Sequence, residues 1–539
     1  AAGVASLIKL CLALKHEEIP PSLGFEKPNP SIDFESSPFF VHHERRPWRR
    51  GARVRRATVN SLGVGGTNAH AVLEEGPAPE TTTESERPAQ LFCLSARSKG
   101  ALDDQMLRLA DYLRSTPDVP VADATYTLFH GRRHFPKRRV FAAESREDAI
   151  LLLEAPDSRR VFDHTAHESG ATVAFMLPGG GAQYPRMARG LLEAEPEVKT
   201  WVDRGLDLLA GLEPGFDLRA LWFPEDAQLD EAHRELLRPA VQLPAIYILS
   251  YALARAWMKR GLEPKALVGH SMGENTAAAV AGVLTFEEGL GLVLLRGQLM
   301  ERVPRGGMLS VPLPADELRE RLGPDLELGV VNGPELSVAS GPIEPLEALA
   351  AALEADGVEA RRIGIDIAAH SRLLDPILPE FEAYLRKCRL KPPNIPIVSN
   401  LNGQLMSGAD ATSPAYWTKQ LRHTVEFSKC LETLLAEDGR VLLEVGPGRA
   451  LSSLARQQPG AGKGAVPTIR HPDEHVSDAA FLAAAHGRLW ALGVQVDPEA
   501  FWGGEKRRRR SLPTYAFQKQ RYFYDPPKAR AVEEAVLPE

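Results

Sequence analysis

One five-residue segment, Gly269-His270-Ser271-Met272-Gly273, constrains the fold of this chain more than any other feature. It follows the strand-like run K-A-L-V at 265–268 and precedes the alanine-rich, helix-like run 275–281. A glycine two residues to each side of a serine lets a strand turn sharply into a helix and holds the hydroxyl clear of the backbone. The N–H of Met272 then points to the same side and can bind an oxyanion. The segment predicts a nucleophilic serine, Ser271, at the end of a strand.

Strands and helices alternate on both sides of this segment. Residues 172–177 are apolar enough for a buried strand, and a long helix is predicted from about 242 to 260, where Gly261 ends it. Two helices follow Ser271 and divide near Gly282. Because strands that alternate with helices pair in parallel, we predict a hydrolase-like α/β core built on a parallel sheet.

A segment at about 305–366 has a different pattern, with short strands flanking two helices. The predicted elements are strands at Met308–Val311, Leu328–Val331 and Ser337–Ser340, and helices near 315–322 and 344–356. We therefore predict a small α+β insert of ferredoxin-like pattern within the larger α/β domain.

The length of 539 residues is too great for one core and indicates three or four domains. Residues 1–75 predict a helix, a proline-rich loop and a glycine-rich hairpin. Residues 76–89 have the composition of a linker, and residues 90–155 predict a small α/β unit that we interpret as a spacer. After Asp497 the chain becomes basic and aromatic.

Composition argues against several classes of protein. With 44% hydrophobic and 25% charged residues, the chain is typical of soluble globular proteins. A net charge of -7 without a basic stripe argues against a nucleic acid as the binding partner. We interpret the basic run Arg507–Arg510 as solvent-exposed surface. No stretch of about 18 apolar residues predicts a membrane span. We expect Ala1 to be a cut within a larger polypeptide, since it is not Met and lies inside a helix-like pattern; signal-peptide features are also missing.

The cysteines are Cys11, Cys93, Cys388 and Cys430, and none forms a C-x-x-C pair. Their wide spacing argues against a disulfide framework or a zinc site and fits a reducing cytoplasm. No metal site is predicted.

A serine nucleophile needs a base within hydrogen-bond reach, and His370 is the best candidate. It follows a predicted strand at 362–367 and precedes a predicted helix at 371–381, a position where α/β sites gather. From position alone, a surface loop histidine is the favoured interpretation. His270 is interpreted as structural, because the neighbour of a nucleophile on such a turn normally points away.

Five motifs carry a family resemblance and keep that family's order along the chain. They are P-G-G-G-A-Q at 178–183, G-H-S-M-G-E at 269–274, L-L-R-G at 294–297, A-A-H-S at 368–371 and E-V-G-P-G at 444–448. Over roughly 171–480 the chain resembles the acyltransferase domain of a type I modular polyketide synthase. This resemblance implies an α/β acyltransferase core at 171–484.

The flanking segments extend the resemblance. Residues 1–9, 20–30 and 63–70 look like the C-terminal end of a ketosynthase, which implies a thiolase-like ketosynthase remnant at 1–75. Residues 76–170 resemble the ketosynthase–acyltransferase linker domain. Residues 485–539, with L-P-T-Y-A-F-Q at 512–518, resemble the post-acyltransferase linker, which in the family wraps back over the earlier linker and the ketosynthase. Lys9 matches a ketosynthase lysine, but the family's catalytic cysteine and histidines would precede residue 1, so no condensing activity is expected.

The resemblance also implies roles for individual residues. Ser271 matches the acylated serine and His370 the general base. Gln420 matches the position whose main-chain carbonyl orients the imidazole. Arg296 matches the arginine that pairs with the free carboxylate of a malonyl-type group, for which a planar guanidinium is well suited.

Two backbone N–H groups, those of Met272 and Gly180, are expected to form the oxyanion hole. Gly180 is a departure from the family, whose loop usually reads P-G-Q-G. A glycine suffices if that position contributes only its backbone N–H, and activity is in doubt if the side chain matters.

The implied reaction moves a malonyl-type group from coenzyme A, through acyl-Ser271, to the phosphopantetheine thiol of an acyl carrier protein. Coenzyme A thioester is then a substrate, and no permanently bound cofactor is needed. The implied partners are the carrier protein and the rest of the ketosynthase and its module, in a parent that forms a homodimer. A serine hydrolase is the rival enzyme, for which Asp316, Asp325 and Asp366 lie between serine and histidine. A docking scaffold with a degenerate site is the non-enzymatic alternative.

Two positions bear on the choice of extender unit. Family members that use malonyl carry an apolar residue after the serine, as at Met272, whereas methylmalonyl users often carry glutamine. The segment Ile367–His370, I-A-A-H, matches neither H-A-F-H of malonyl users nor Y-A-S-H of methylmalonyl users. Ala369 is small and leaves room for a branch methyl. We predict malonyl as the preferred unit with leakage to methylmalonyl, and methylmalonyl specificity as the alternative.

Overall fold

The protein is described by a computed structural model that covers residues 2–78, 81–460, 464–497, 502 and 504–523. The chain divides into two units, residues 1–81 and residues 82–539.

The first unit is a helix, a long irregular loop and a hairpin, as the sequence predicts. Its elements are α1 (Ala2–His16), β1 (Glu18–Ile19), β2 (Arg46–Pro47), β3 (Arg56–Leu62) and β4 (Asn68–Glu74). β3 and β4 pair antiparallel around a turn in which Gly65 and Gly66 both have positive φ. Within α1 only Ala13 is buried, so this unit has little core of its own.

The second unit begins with a three-stranded antiparallel sheet in the order β5-β6-β7, covered by helices. The elements are β5 (Gln90–Ala96), α2 (Lys99–Ser115), α3 (Val121–His130), β6 (Lys137–Ala143), α4 (Arg146–Glu154) and β7 (Phe162–Thr165). Phe92 and Phe141 stack across β5 and β6, with ring centroids 4.6 Å apart, at the centre of a separate apolar core. The small α/β unit predicted at 90–155 is therefore confirmed. Its sheet also includes β7, which lies beyond the predicted end of the unit.

The largest part of the chain is built on a five-stranded, wholly parallel sheet in the order β14-β9-β8-β15-β16. Its strands are β8 (Thr172–Leu177), β9 (Pro264–Gly269), β14 (Ile397–Val398), β15 (Arg440–Glu444) and β16 (Ala465–Pro467). Alternate residues of β8 face opposite sides, with Phe175 in one apolar core and Met176 in the other. The parallel α/β sheet predicted from the sequence is confirmed.

Helices cover both faces of this sheet. They are α5 (Arg189–Ala194), α6 (Pro196–Leu212), α7 (Leu218–Trp222), α8 (Leu229–Glu235), α9 (Pro239–Lys259), α10 (Gly273–Val280), α11 (Phe286–Met300), α14 (Leu378–Leu385), α15 (Gly408–Ala411), α16 (Pro414–Arg422), α17 (Phe427–Leu435), α18 (Ala450–Gln457) and α19 (Asp478–Leu492), with short 3-10 helices at Asp226–Gln228 and Arg372–Ile377. Most of α9 is buried beneath the sheet. In the described part of the chain no single helix is long and apolar enough to cross a bilayer. Two consecutive helical segments, Asp226–Glu235 and Pro239–Lys259, together have the length and apolar composition of a membrane span, but the chain bends by 104° between them.

The insert forms its own four-stranded antiparallel sheet in the order β11-β12-β10-β13. Its elements are β10 (Gly307–Val311), α12 (Ala315–Arg321), β11 (Glu327–Gly333), β12 (Leu336–Gly341), α13 (Ile343–Ala355) and β13 (Arg361–Arg362). This β-α-β-β-α-β order and strand arrangement are those of a ferredoxin-like fold, so the prediction is confirmed.

The strand predicted at 362–367 is wrong. Only Arg361 and Arg362 pair with β10. The N–H of Ile363 still donates to the carbonyl of Met308 at 2.9 Å, but the N–H of Ile365 turns back to the carbonyl of Ile363 at 2.8 Å, and pairing ends there. The alternating isoleucines that suggested a strand instead line the central cavity.

The interpretation of the basic run 507–510 as solvated surface is wrong for Arg507 and Arg510, whereas Arg509 is exposed. The side chain of Arg507 is 1% exposed and lies 3.5 Å from the carboxylate of Asp123, which is itself fully buried in α3. Arg510 donates to the same carboxylate at 2.7 Å, and Leu512 enters the core of the small sheet. The post-core segment is therefore fixed onto the 90–165 unit by a buried ion pair.

We predict that Asp123→Ala lowers the free energy of unfolding by about 3–5 kcal/mol, because Arg507 and Arg510 lose the buried carboxylate that they share and Arg507 keeps only Glu505. It should also release residues 505–518 to limited proteolysis. Asp111→Ala in α2 is the control, since that exposed carboxylate pairs with exposed Arg114 and should contribute less than about 1 kcal/mol. Equal effects in chemical unfolding would contradict the assignment of Asp123 as the anchor.

Candidate active site

The serine lies at the turn between β9 and α10, in a backbone conformation that side chains rarely adopt. Ser271 has φ of +54°. A Cβ on Gly269 would lie 1.9 Å from the backbone nitrogen of Glu274, and one on Gly273 would lie 2.0 Å from the carbonyl oxygen of Leu177. Both glycines are therefore required by close backbone approach, and the turn predicted from the sequence is present.

The side-chain amide of Asn400, just after β14, holds this turn in place. Its Oδ1 accepts from the N–H of Ser271 at 2.9 Å and its Nδ2 donates to the carbonyl of Gly269 at 2.7 Å. The backbone N–H of Asn400 donates to Glu274 Oε2 at 2.9 Å. Since Asn400 is 1% exposed, these bonds replace the partners that the strained turn cannot find in regular structure. No sequence pattern pointed to this residue.

His370 is within hydrogen-bond reach of the serine. The Ser271 hydroxyl donates to His370 Nε2 at 2.7 Å, and His370 Nδ1 donates to the carbonyl oxygen of His423 at 3.0 Å. Burial, followed by the positive charge of Arg296, lowers the pKa of His370 to about 3. The imidazole is therefore neutral at ordinary pH, with Nε2 free to take a proton from the hydroxyl.

The carbonyl that orients the imidazole belongs to His423, so the assignment of Gln420 to that role is wrong. Gln420 lies inside α16, where its side chain donates to the carbonyl of Ser271 at 2.7 Å. His423 follows the end of that helix in an extended conformation, which turns its carbonyl away from the helix axis and towards the histidine. The family resemblance located this segment of the chain but not which of its carbonyls faces the site.

Arg296 reaches the serine from α11. Its Nη2 donates to Ser271 Oγ at 3.0 Å, and its Nη1 donates to Asn275 Oδ1 at 2.9 Å and to Gln420 Oε1 at 3.4 Å. The residue is 1% exposed, its Nε has no hydrogen-bond partner, and no described carboxylate lies within 4 Å. Burial lowers its pKa to about 10, so the guanidinium is still charged near neutrality.

A buried acid lies beneath the arginine. Glu274 accepts from the Tyr416 hydroxyl and from the Asn400 N–H. Burial raises the pKa of Glu274 to about 7, against the opposing influence of these donors and of Arg296. It follows directly on the serine motif in sequence, which is the only signal that could have drawn attention to it.

These groups open into a cavity of about 670 Å³ between the parallel sheet and the insert. Its wall includes each predicted substrate-binding and oxyanion position: Gly180, Met272, Ile367 and Ala369. A Cβ on Gly180 would lie 2.8 Å from Oε1 of Gln242, whose side chain occupies that space and accepts from the N–H of Gly181 at 3.0 Å. A glutamine at position 180 would need Gln242 to move, which gives the departure a steric basis.

None of the three aspartates of the hydrolase alternative is hydrogen-bonded to His370, although Asp366 lines the cavity. Asp316 pairs with Arg319, and Asp366 lies beside Arg362 and Arg305 at the exposed edge of the insert. His370 already directs Nδ1 at a main-chain carbonyl. Across the described residues there is no group of three or more metal-ligating side chains, and the four cysteines are free thiols.

Comparisons with known proteins agree with this geometry. Residues 174–470 match the family model of the acyl transferase domain, and residues 90–153 match that of the CurL-like polyketide synthase C-terminal region. The chain is 36% identical to a phenolphthiocerol/phthiocerol polyketide synthase polypeptide of Mycobacterium tuberculosis, over 98% of this chain and 36% of the relative. It therefore spans about a third of that relative's length.

Two solved structures are similar as well. The acyl transferase domain of ZmaA is 36% identical with a TM-score of 0.73, over 80% of this chain and 100% of that one. The acyl transferase domain of SpnD in complex with 2-(pent-4-yn-1-yl)malonyl is 35% identical with a TM-score of 0.70, over 76% of this chain and 98% of that one.

We predict that Asn400→Ala lowers the free energy of unfolding by about 1–3 kcal/mol, because it leaves the Ser271 N–H and the Gly269 carbonyl buried and unpaired. Labelling of Ser271 by a fluorophosphonate should slow as the turn relaxes. Asn402→Ala, on the same loop, is the control; it loses only an exposed hydrogen bond from the N–H of Gln404 and should change both measurements much less. Similar behaviour of the two variants would remove Asn400 from the support of the serine.

Proposed function

The chain belongs to the acyl transferase domain family in the form carried by type I polyketide synthases, and on this premise we propose that it transfers a malonyl-type extender unit from coenzyme A to an acyl carrier protein. The observation that carries the proposal is the convergence on Ser271 Oγ of His370 Nε2, at 2.7 Å, and Arg296 Nη2, at 3.0 Å, in one cavity. A base and a fixed cation at one hydroxyl suit an acyl group that carries its own negative charge.

The reaction proceeds by two displacements. His370 takes the hydroxyl proton as Ser271 Oγ attacks the thioester carbonyl of the acyl-coenzyme A. The tetrahedral intermediate collapses with cleavage of the C–S bond, and His370 returns the proton to the leaving thiolate, which leaves acyl-Ser271. The phosphopantetheine thiol of the carrier then gives its proton to His370 and attacks the ester, which regenerates the serine.

The oxyanion is stabilised by the N–H groups of Met272 and Gly180, two residues that line the cavity. Met272 stands at the N-terminus of α10, whose dipole adds positive potential at the same point. His370 is oriented by the His423 carbonyl, and a carbonyl suffices to fix its tautomer without an aspartate.

Arg296 binds the free carboxylate of the acyl group. A guanidinium buried without a carboxylate partner among the described residues is costly, and an incoming carboxylate would remove that cost. The malonyl derivative held by the solved SpnD domain supports the same class of ligand. On binding, the carboxylate would take the guanidinium edge that now contacts Ser271, and this would free the hydroxyl for attack.

The wider assignments follow from the family. We assign residues 1–75 to the end of a ketosynthase, 76–170 to the ketosynthase–acyltransferase linker, 171–484 to the acyltransferase and 485–539 to the post-acyltransferase linker. Exposed apolar side chains of α1, such as those of Val4, Ile8 and Leu12, support packing of the first unit against other parts of a ketosynthase. The proposed setting is a cytoplasmic, homodimeric module that acts with a carrier protein.

We predict that Ser271→Ala abolishes the acyl-enzyme seen by intact mass after mixing with malonyl-coenzyme A, while the fold is retained. His370→Ala should slow acylation by about 10²–10⁴-fold, as expected for loss of a general base. His270→Ala is the matched control, because its Nε2 donates to Asn332 Oδ1 at 2.8 Å and not to the serine. An adduct of the same mass on the Ser271 variant would refute the assigned nucleophile.

For Arg296→Ala we expect a loss of about 1.5–3 kcal/mol in transition-state binding of malonyl-coenzyme A, the contribution of a charged hydrogen bond. Acetyl-coenzyme A lacks the carboxylate and should be affected little or used better. The readout is kcat/KM for both donors, normalised to the amount of folded enzyme. Equal losses for the two donors would make Arg296 a structural residue only.

The extender unit follows from the cavity wall near the acyl carbon. Met272 favours malonyl, while the small Ala369 leaves room for a branch methyl, and discrimination over one methyl is limited to about 1–3 kcal/mol. With both donors at equal concentration, we expect malonyl-Ser271 to exceed methylmalonyl-Ser271 by mass, with both detectable. Ala369→Phe should reduce the methylmalonyl adduct further, whereas a methylmalonyl excess in the unaltered chain would make Ala369 the dominant position and favour the methylmalonyl alternative.

A further inference from the structure

A second cavity of about 350 Å³ lies within the 82–539 unit, between β7 of the small sheet and α19. Its apolar wall includes Phe162 of β7 and Phe481 and Ala484 of α19. Arg488 of α19 also lines it, as does the loop that precedes α19. None of the residues assigned to acyl transfer takes part in it.

Arg488 has an incomplete set of partners. It is 8% exposed, its Nη2 donates to the carbonyl of Ala465 at 3.3 Å, and its Cζ lies 4.5 Å from the ring centroid of Phe162. Its Nε has no hydrogen-bond partner. Burial lowers the pKa of Arg488 to about 10, so the group remains a cation near neutral pH.

The other arginines of this cavity each have a carboxylate. Arg160 holds Asp148 at 2.6 Å, Arg159 holds Asp157 at 3.0 Å and Arg449 holds Glu474 at 3.0 Å. Arg488 has no carboxylate within 4 Å in the described part of the chain. Arg488, which lacks a carboxylate partner, is thus also the most deeply buried of the four arginines that line this cavity.

The same contrast holds for the buried arginines of the whole described chain. Arg55 pairs with Glu75 at 2.6 Å, and Arg139 forms ion pairs with Asp103 and Asp163. Arg296 and Arg488 alone among them lack a carboxylate, and each lines a cavity. Because a buried cation without an anion is costly, this arrangement indicates an anion that comes from outside the described residues.

We propose that this second cavity binds a small carboxylate with a short apolar tail, its carboxylate on Arg488 and its tail against Phe481 and Ala484. A guanidinium edge matches a planar carboxylate with two parallel hydrogen bonds. The wall also carries Asp157, Asp473 and Glu474, which disfavour a more highly charged phosphate. The proposal goes beyond acyl transfer and does not depend on it.

The test uses 4,4,4-trifluorobutyrate, observed by fluorine NMR with the full chain, and neutral 4,4,4-trifluorobutyramide as the matched probe. Since Arg296 can also bind a carboxylate, the measurement is made in the unaltered chain and in Arg296→Ala. We expect the acid, at about 1 mM, to broaden and shift in both backgrounds, whereas the amide does not. Arg488→Met in the Arg296→Ala background should abolish the effect, and Arg449→Met, which removes an already paired arginine, should retain it.

Two further variants keep the outcome clear. Ala484→Leu fills the cavity without touching the charge and should block the acid. Without any carboxylate present, Arg488→Met should leave the melting temperature unchanged or raise it, because it removes an uncompensated buried charge. A fall in melting temperature with no loss of probe binding would assign Arg488 a structural role, and binding of inorganic phosphate in preference to the acid would refute the proposed ligand class. Failure here would leave Ser271 acylation untouched, so the two proposals are separable.

Discussion

The backbone of Ser271, held at φ of +54° between two glycines, is the constraint on which the rest of the site depends. A serine in this conformation cannot continue the ladder of β9, so its own N–H and the carbonyl of Gly269 must find other partners. Asn400 supplies two of them and Gln420 a third. Each of these side chains comes from a segment that returns to the same edge of the sheet, which explains why a short motif needs a domain of this size to support it.

Charge in the site is arranged around a neutral base and an unpaired cation. Burial and Arg296 together keep the pKa of His370 far below its usual value, so the neutral imidazole would not compete with Arg296 for the carboxylate that we propose as its ligand. Glu274 is near enough to influence Arg296, yet it is not within 4 Å and its own pKa is raised by burial. The guanidinium therefore keeps most of its capacity for an external carboxylate.

Much of this could be predicted from the sequence, because local patterns control local structure. Glycine spacing predicted the serine turn, and apolar periodicity predicted β8, α9 and the strands of the insert. The errors arose where tertiary contacts decide. Ile363 and Ile365 alternate as in a strand, but they line a cavity. Arg507 is buried and pairs with Asp123, which is nearly four hundred residues away in the sequence. The identity of the carbonyl that faces His370 depends on the residue at which α16 ends.

The insert holds the segments around His370 in place, whereas the parallel sheet holds Ser271 in place. Val425, two residues after His423, exchanges backbone hydrogen bonds with β11, its N–H donating to Gly329 and its carbonyl accepting from Val331, both at 2.9 Å. On the other side of the imidazole, the carbonyl of Ala369 accepts from the hydroxyl of Ser340 on β12 at 2.6 Å. Both flanks of His370 are thus tied to the insert, while Ser271 is tied to β9 and β14. A shift of the insert relative to the sheet would change the distance between hydroxyl and imidazole directly, so the ferredoxin-like unit is part of the geometry of proton transfer as well as a wall of the cavity.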